Sequence, residues 1–178
     1  MDYRIIRSRR RTVALYITPE GTLEVRCPLK MDASQIDAFV KSKEKWIQKH
    51  MRPPVSPEDK LTPAALAELK TLAAKDLPER VVRLAPRVGV EYNHITIRSQ
   101  RTRWGSCTGK GNLNFNCLLM LAPPEVRDYV IVHELCHRRE MNHSRAFWTL
   151  VGTHCTNYRE CRKWLKENGS RLIARLPG

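Results

Sequence analysis

His133, Glu134, His137 and His143 are the residues of this 178-residue chain whose types and spacing converge on one kind of chemistry. The segment reads His133-Glu134-Leu135-Cys136-His137, then Arg138 to Asn142, then His143. On an α-helix, residues four apart lie one turn above each other on the same face, so His133 and His137 aim their imidazoles at one point. Glu134 sits about 100° around the helix, beside that point without being a ligand to it. Two imidazole ligands and a carboxylate that takes a proton from metal-bound water make a hydrolytic zinc site. Glu134 is thus the candidate catalytic residue, and one Zn2+ ion is the expected cofactor, with other divalent metals able to fill the same donor set. A third ligand leaves one coordination position open for water, and His143 is the candidate. Its interval from His137 is that of the extended metzincin motif, which turns the chain with glycine at the third intervening position. Glu140 stands there in this sequence, so the turn is expected at Asn142, which tolerates the left-handed conformation. The competing reading is a buried helix with two hydrogen-bonded histidines, and for His143 a simple helix cap. A chance match to His-Glu-x-x-His in a chain this long is rare, below about 1 in 100, which favours the metal.

The helix that must position these residues is legible upstream. Pro123-Pro124 opens it, and Val126, Tyr129 and Val130 form the apolar stripe that the histidines continue. Ahead of it, Ile95 and Ile97 alternate with polar neighbours as a strand. The block Trp104-Gly105-Ser106-Cys107 reads as a loop, and Gly109 and Gly111 as turn residues. Asn112 to Asn116 alternates, with Leu113, Phe115 and Cys117 on one face and asparagines on the other, as a half-buried or edge strand does. A helix is expected from Ser144, and another around Cys161, Trp164 and Leu165.

The amino-terminal residues 1–50 read as a separate subdomain. Tyr3 to Arg7, Thr12 to Thr18 and Leu23 to Cys27 suggest a small antiparallel β-meander, with a turn at Pro19-Glu20-Gly21. A helix follows, with Asp32 and Gln35 as a capping box, Ile36, Phe39, Val40 and Ile47 on one face, and Lys41, Lys45 and Lys49 opposite. Pro53-Pro54 and Pro57 break the chain over 51–61, a proline-rich linker. A core of 62–178 then begins with a helix at Thr62-Pro63. Leu66, Leu69 and Leu72-Ala73 form its buried side, Pro78 interrupts it, and Pro86 to Gly89 ends it. No internal repeat is evident along the sequence.

The charge balance is basic: 32 Lys plus Arg against 18 Asp plus Glu give +14. That surface is well solvated and can also attract a nucleotide or nucleic acid. Six cysteines lack any Cys-x-x-Cys pair, which argues against a zinc ribbon. With no signal-like amino terminus and no membrane-length apolar run, a reducing cytoplasmic location is expected.

The blocks Arg103-Trp104-Gly105-Ser106-Cys107, Tyr129 to His137, Asn142-His143-Ser144 and Phe147-Trp148 together resemble the YgjP-like metal-dependent hydrolases, relatives of the SprT, Spartan and WLM zincin-type proteins. The resemblance implies an α+β, zincin-like fold with a small mixed sheet packed against the active-site helix. It also implies metal ligation by His133, His137 and His143 with Glu134 as acid/base. In zincins an edge strand above the metal pairs with extended peptide, and Asn112 to Asn116 is the candidate here. Cys136 and Cys155 stand where relatives often have alanine and proline.

Three functions compete. The leading one is a zinc metallopeptidase acting on a peptide or protein through the HExxH-x5-H site. A nucleotide phosphohydrolase of pyrophosphatase type would use the same metal with Arg101, Arg103 and Lys110 as phosphate contacts, without a Walker-type glycine loop. A nucleic-acid-binding module would hold a structural zinc, against which an open coordination position argues. Arg101 and Arg103 can also stabilise an oxyanion or form structural salt bridges, His154 and Tyr158 can serve as transition-state donors, and Trp104, Phe147 and Trp148 are expected to be packing residues.

Overall fold

The computed structural model describes residues 2–18, 21–51 and 55–177. The Pro19-Glu20 turn, the Pro53-Pro54 break and the Lys49 side chain lie outside the described residues. The chain divides into two compact units, Met1–Lys60 and Leu61–Gly178.

The first unit contains β1 (Arg4–Ser8), β2 (Ala14–Ile17), β3 (Leu23–Pro28), α1 (Ala33–Ser42) and α2 (Glu44–His50). Its sheet has the order β1-β3-β2, with β1 parallel and β2 antiparallel to β3. The expected antiparallel meander is therefore corrected: only the β2–β3 hairpin is antiparallel, and residues 9–13 carry the chain across to put β1 on the far edge. The strand with the most buried side chains takes the middle, since Leu23, Val25 and Cys27 are at most 1% exposed. They pack with Ile36, Val40 and Ile47. Asp32 caps α1 in the expected reciprocal box with Gln35, and the helix breaks at Lys43 before α2 starts.

The second unit runs α3 (Pro63–Val88), β4 (Ile95–Arg98), β5 (Gly105–Cys107), β6 (Leu113–Asn116), a 3₁₀ segment Cys117–Leu121, α4 (Pro124–Cys136), α5 (Arg145–His154) and α6 (Tyr158–Ala174). The α+β class expected from the sequence holds here, with a small mixed sheet against the helix that bears His133. Pro78 does not interrupt α3, which continues through it to a left-handed Gly89 cap. Buried Ala73, Leu77 and Val81 hold the helix on either side of the proline, offsetting its lost hydrogen bond. Leu72, expected inside, is 47% exposed. Asp128 of α4 accepts from Arg80 at 2.7 Å and from Arg83 at 3.0 Å, both on α3. These pairs tie α4 to its neighbour.

The sheet order is β4-β6-β5, β4 parallel and β5 antiparallel to β6. Asn112 to Asn116 is thus a central strand, not an edge, which corrects its expected place. Its amides are structural. Asn116, 1% exposed, donates to the carbonyls of Gln100 and Arg103 at 2.6 and 3.0 Å and accepts from the Leu118 amide. The edges are β4 and β5, the latter read from the sequence as loop.

The two sheets repeat one another. Leu15 faces Val25 as Gly105 faces Phe115, and Ile17 faces Leu23 as Cys107 faces Leu113. Both hairpins close in the same way. The Gly21 and Gly111 amides donate to the carbonyls of Thr18 and Thr108 at 2.9 and 2.8 Å, and both glycines have positive φ, 81° and 83°. The following amide donates to the threonine hydroxyl in each. The repeat escapes a reading of the sequence because few side chains coincide while the backbone geometry does.

Candidate metal centre

α4 ends at Cys136, and His137 caps it while keeping helical φ and ψ of −63° and −14°. His133 and His137 therefore keep the one-turn spacing that puts them on a common face. The chain turns back without any left-handed residue: no non-glycine described has positive φ, so Asn142 does not make the turn in that way. Instead the amides of Arg138, Arg139 and Glu140 fold onto the carbonyls of Leu135 and Cys136, and Ser144 donates to the Asn142 carbonyl at 2.7 Å. Arg138 fixes this corner by donating to the carbonyls of Glu91 and Gly109.

The turn brings His143 back. One ring nitrogen from each of His133, His137 and His143 lies within 4.8 Å of the others, and the Nε2 atoms of His133 and His143 are 3.0 Å apart. His137 Nδ1 lies 3.0 Å from the Glu140 carbonyl. That bond fixes the tautomer with a proton on Nδ1 and leaves Nε2 as a donor to a metal. His133 Nδ1 is buried without a hydrogen-bond partner among the described residues, and its Nε2 is the nitrogen that faces His143. Burial and the neighbouring imidazoles push His133 down to about 3, and burial lowers His137. Both are then neutral near pH 7, the form that coordinates metal. The donor set fits one transition-metal ion.

Phe147, fully buried, touches all three rings: it stacks on His137 at 4.5 Å between centroids and meets His133 and His143 edge-on, each at 4.9 Å. Trp148 stacks on His143 at 5.7 Å, with Tyr158 stacked on Trp148 and the Arg162 guanidinium 4.7 Å from the Trp148 ring. Both aromatics sit in the first turn of α5, which Ser144 caps through the Phe147 amide. They are packing residues, as expected, but what they pack is the cluster of three histidine rings.

A cavity of about 260 Å³ is lined by the three histidines, Glu134, Arg103, Gly105, Ser106, Cys107 and Met141. Glu134 is 6% exposed, and burial pushes it up to about 8, against the pull of Arg103. Gly105 is the residue whose role the sequence did not disclose. A Cβ there would lie 2.7 Å from both Cγ and Oε1 of Glu134, so glycine makes the space that the carboxylate fills. Its placement directly after Trp104 was the visible signal, but nothing in the spacing ties it to Glu134. Arg101 is directed elsewhere, donating to the Pro177 carbonyl. Lys110, His154 and Tyr158 do not line the cavity. Cys136 is buried with its thiol pushed up to about 12 by burial, so it is a packing group. Cys155 ends α5 and points its thiol at Asn157 Oδ1, 3.3 Å away.

The profile of the YgjP-like, metallopeptidase domain family matches residues 11–64 and 53–168. The chain belongs to that family. Membership in a family of metallopeptidase domains implies a metal and a hydrolytic reaction for this YgjP-like chain. Two solved structures are similar in part. One is the metallopeptidase zymogen jannalysin of Methanocaldococcus jannaschii, with 22% identity over 52% of this chain and 97% of that one, at a TM-score of 0.43. The other is the zymogen abylysin of Pyrococcus abyssi, with 18% identity over 51% and 93%, also at 0.43. No curated protein matches the chain. Among the described residues no helix is long and apolar enough to cross a membrane.

Proposed function

We propose that this chain is a zinc metallopeptidase in which His133, His137 and His143 hold the ion and Glu134 is the general base. The observation that carries the reading is the convergence of three imidazole nitrogens within 4.8 Å at a cavity that Glu134 also lines. His133, His137 and His143 would hold the ion, which when bound would supply Lewis-acid polarisation of a carbonyl and a water of lowered pKa, towards about 7. Glu134 takes the proton of the attacking water and later gives it to the leaving amine. Burial raises Glu134 in the metal-free site, and the positive charge of a bound cation would lower it so that the carboxylate can accept that proton. Arg103 lies where positive charge can stabilise the developing oxyanion. The unpaired side of β5 borders the same cavity through Gly105, Ser106 and Cys107, and an extended peptide pairing there presents its backbone to the metal.

The nucleotide reading has less support, since Arg103 is the single cationic side chain lining the cavity among the described residues. A structural zinc would need four protein ligands, and three histidines converge here.

Glu134→Gln should retain zinc and lose cleavage of an unfolded protein by about 100-fold or more, the scale of general-base catalysis. The same panel should include nucleoside triphosphates, with and without chelator. Full activity in the variant overturns the role of Glu134; chelator-sensitive hydrolysis of triphosphates without proteolysis overturns the peptidase reading.

A further inference from the structure

We propose that the outer edge of β2, with the groove beside it, docks an extended acidic segment of a protein partner. The inference concerns the amino-terminal unit and does not depend on the chemistry assigned to the metal centre. β2 pairs with β3 on one side and with no strand on the other among the described residues. Edge strands are usually protected by charge; β1, the opposite edge, has Arg4 and Arg7, whereas β2 reads Ala-Leu-Tyr-Ile without one. In the repeated architecture β2 is the counterpart of β5, whose open edge borders the catalytic cavity. Leu15 occupies the place of Gly105 and packs into the core of its unit. The unit thus keeps the open strand edge and lacks the chemistry.

A groove of about 700 Å³ lies at the start of this strand, lined by Val13, Pro28, Met31 and Phe39 together with Arg11 and Lys30. Neither of these two cations has an ion-pair partner among the described residues, and Arg9 and Arg10 adjoin them in sequence. The neighbouring acids are engaged: Glu24 with Arg26, Asp32 as the α1 cap, and Asp37 with the Tyr3 hydroxyl. Unpaired backbone, an apolar lining and unneutralised positive charge together fit a peptide in strand conformation that alternates apolar and acidic side chains. A nucleic acid fits less well. The exposed aromatic of the strand, Tyr16, has its face covered by the Arg26 guanidinium at 4.3 Å, which removes a stacking platform.

The test is fluorescence anisotropy of a labelled decapeptide alternating valine and glutamate, titrated with the full chain bearing Glu134→Gln so that the probe is not cleaved. Saturable binding is expected, with at least tenfold weaker affinity for Arg11→Glu/Lys30→Glu and for Tyr16→Glu, each still unfolding cooperatively. Amide shifts on binding should cluster at residues 11–17 and 28–31. Equal binding of a valine–lysine decapeptide, undiminished binding by both variants, or self-association through β2 in place of peptide binding would overturn the proposal. So would binding of a single-stranded oligonucleotide through Arg11 and Lys30 without the peptide.

Discussion

Glu134 can enter the cavity because position 105 carries no Cβ. Gly105 does not have a positive φ, so the requirement is one of space, not of backbone conformation. Gly105→Ala should therefore fold, retain its metal and displace the carboxylate. A misplacement on the order of 1 Å costs about 100-fold in rate, read as a fall in kcat at unchanged zinc content. An unaltered kcat would show that Glu134 does not act from this position. At the same scale, burial raises the thiols of Cys136 and Cys161 to about 12 and about 11, from an ordinary 9.0. Raised values mean that their stabilising contribution is complete below pH 9 and is lost as pH rises through the folded values. Thermal stability should fall between roughly pH 9 and 12, and Cys136 and Cys161 should resist alkylation at pH 8 until the protein unfolds. Rapid labelling of the native protein at these positions would contradict that.

The elements divide the work unevenly. α4 and its helical cap residue supply His133, Glu134 and His137 by the helix periodicity, which is why that part of the candidate site is legible in the sequence. His143 belongs to no helix, and its position depends on a turn and on the first turn of α5. Trp148 backs its exposed ring, so Trp148→Ala should weaken zinc affinity about 10- to 100-fold, the usual effect of losing a group that orients a ligand. Competition with a chromophoric chelator measures this, and an unchanged affinity would show that the stack does not position His143. Phe147→Ala is a poorer probe, because emptying a site this buried costs about 3–5 kcal/mol of stability as well. The strands were less legible than the helices. β5 has three small residues and no alternation to announce it, and the asparagines of β6 looked solvent-facing when Asn116 in fact serves buried backbone.

Across the whole molecule, composition points to a basic surface without locating it, whereas the helical motif singles out histidines that the structure brings together. The sheet order in each unit depends on which strand is most buried, a property of packing between segments far apart in the chain. For that reason the parallel β1 and the repeated hairpin were not visible beforehand. The Glu24–Arg26 pair and the capping box of α1 serve the first unit alone, while the ion pairs from Asp128 hold α4 against α3 in the second. The claim that unites these parts is a metal held by three imidazoles with one position left open. X-ray absorption at the zinc edge of the purified, zinc-loaded protein tests it most directly. The account predicts three imidazole nitrogens and one oxygen ligand at about 2.0–2.1 Å, with the imidazole count falling to two in His143→Ala. A sulfur shell at about 2.3 Å, four protein ligands, or an unchanged spectrum in that variant would contradict it.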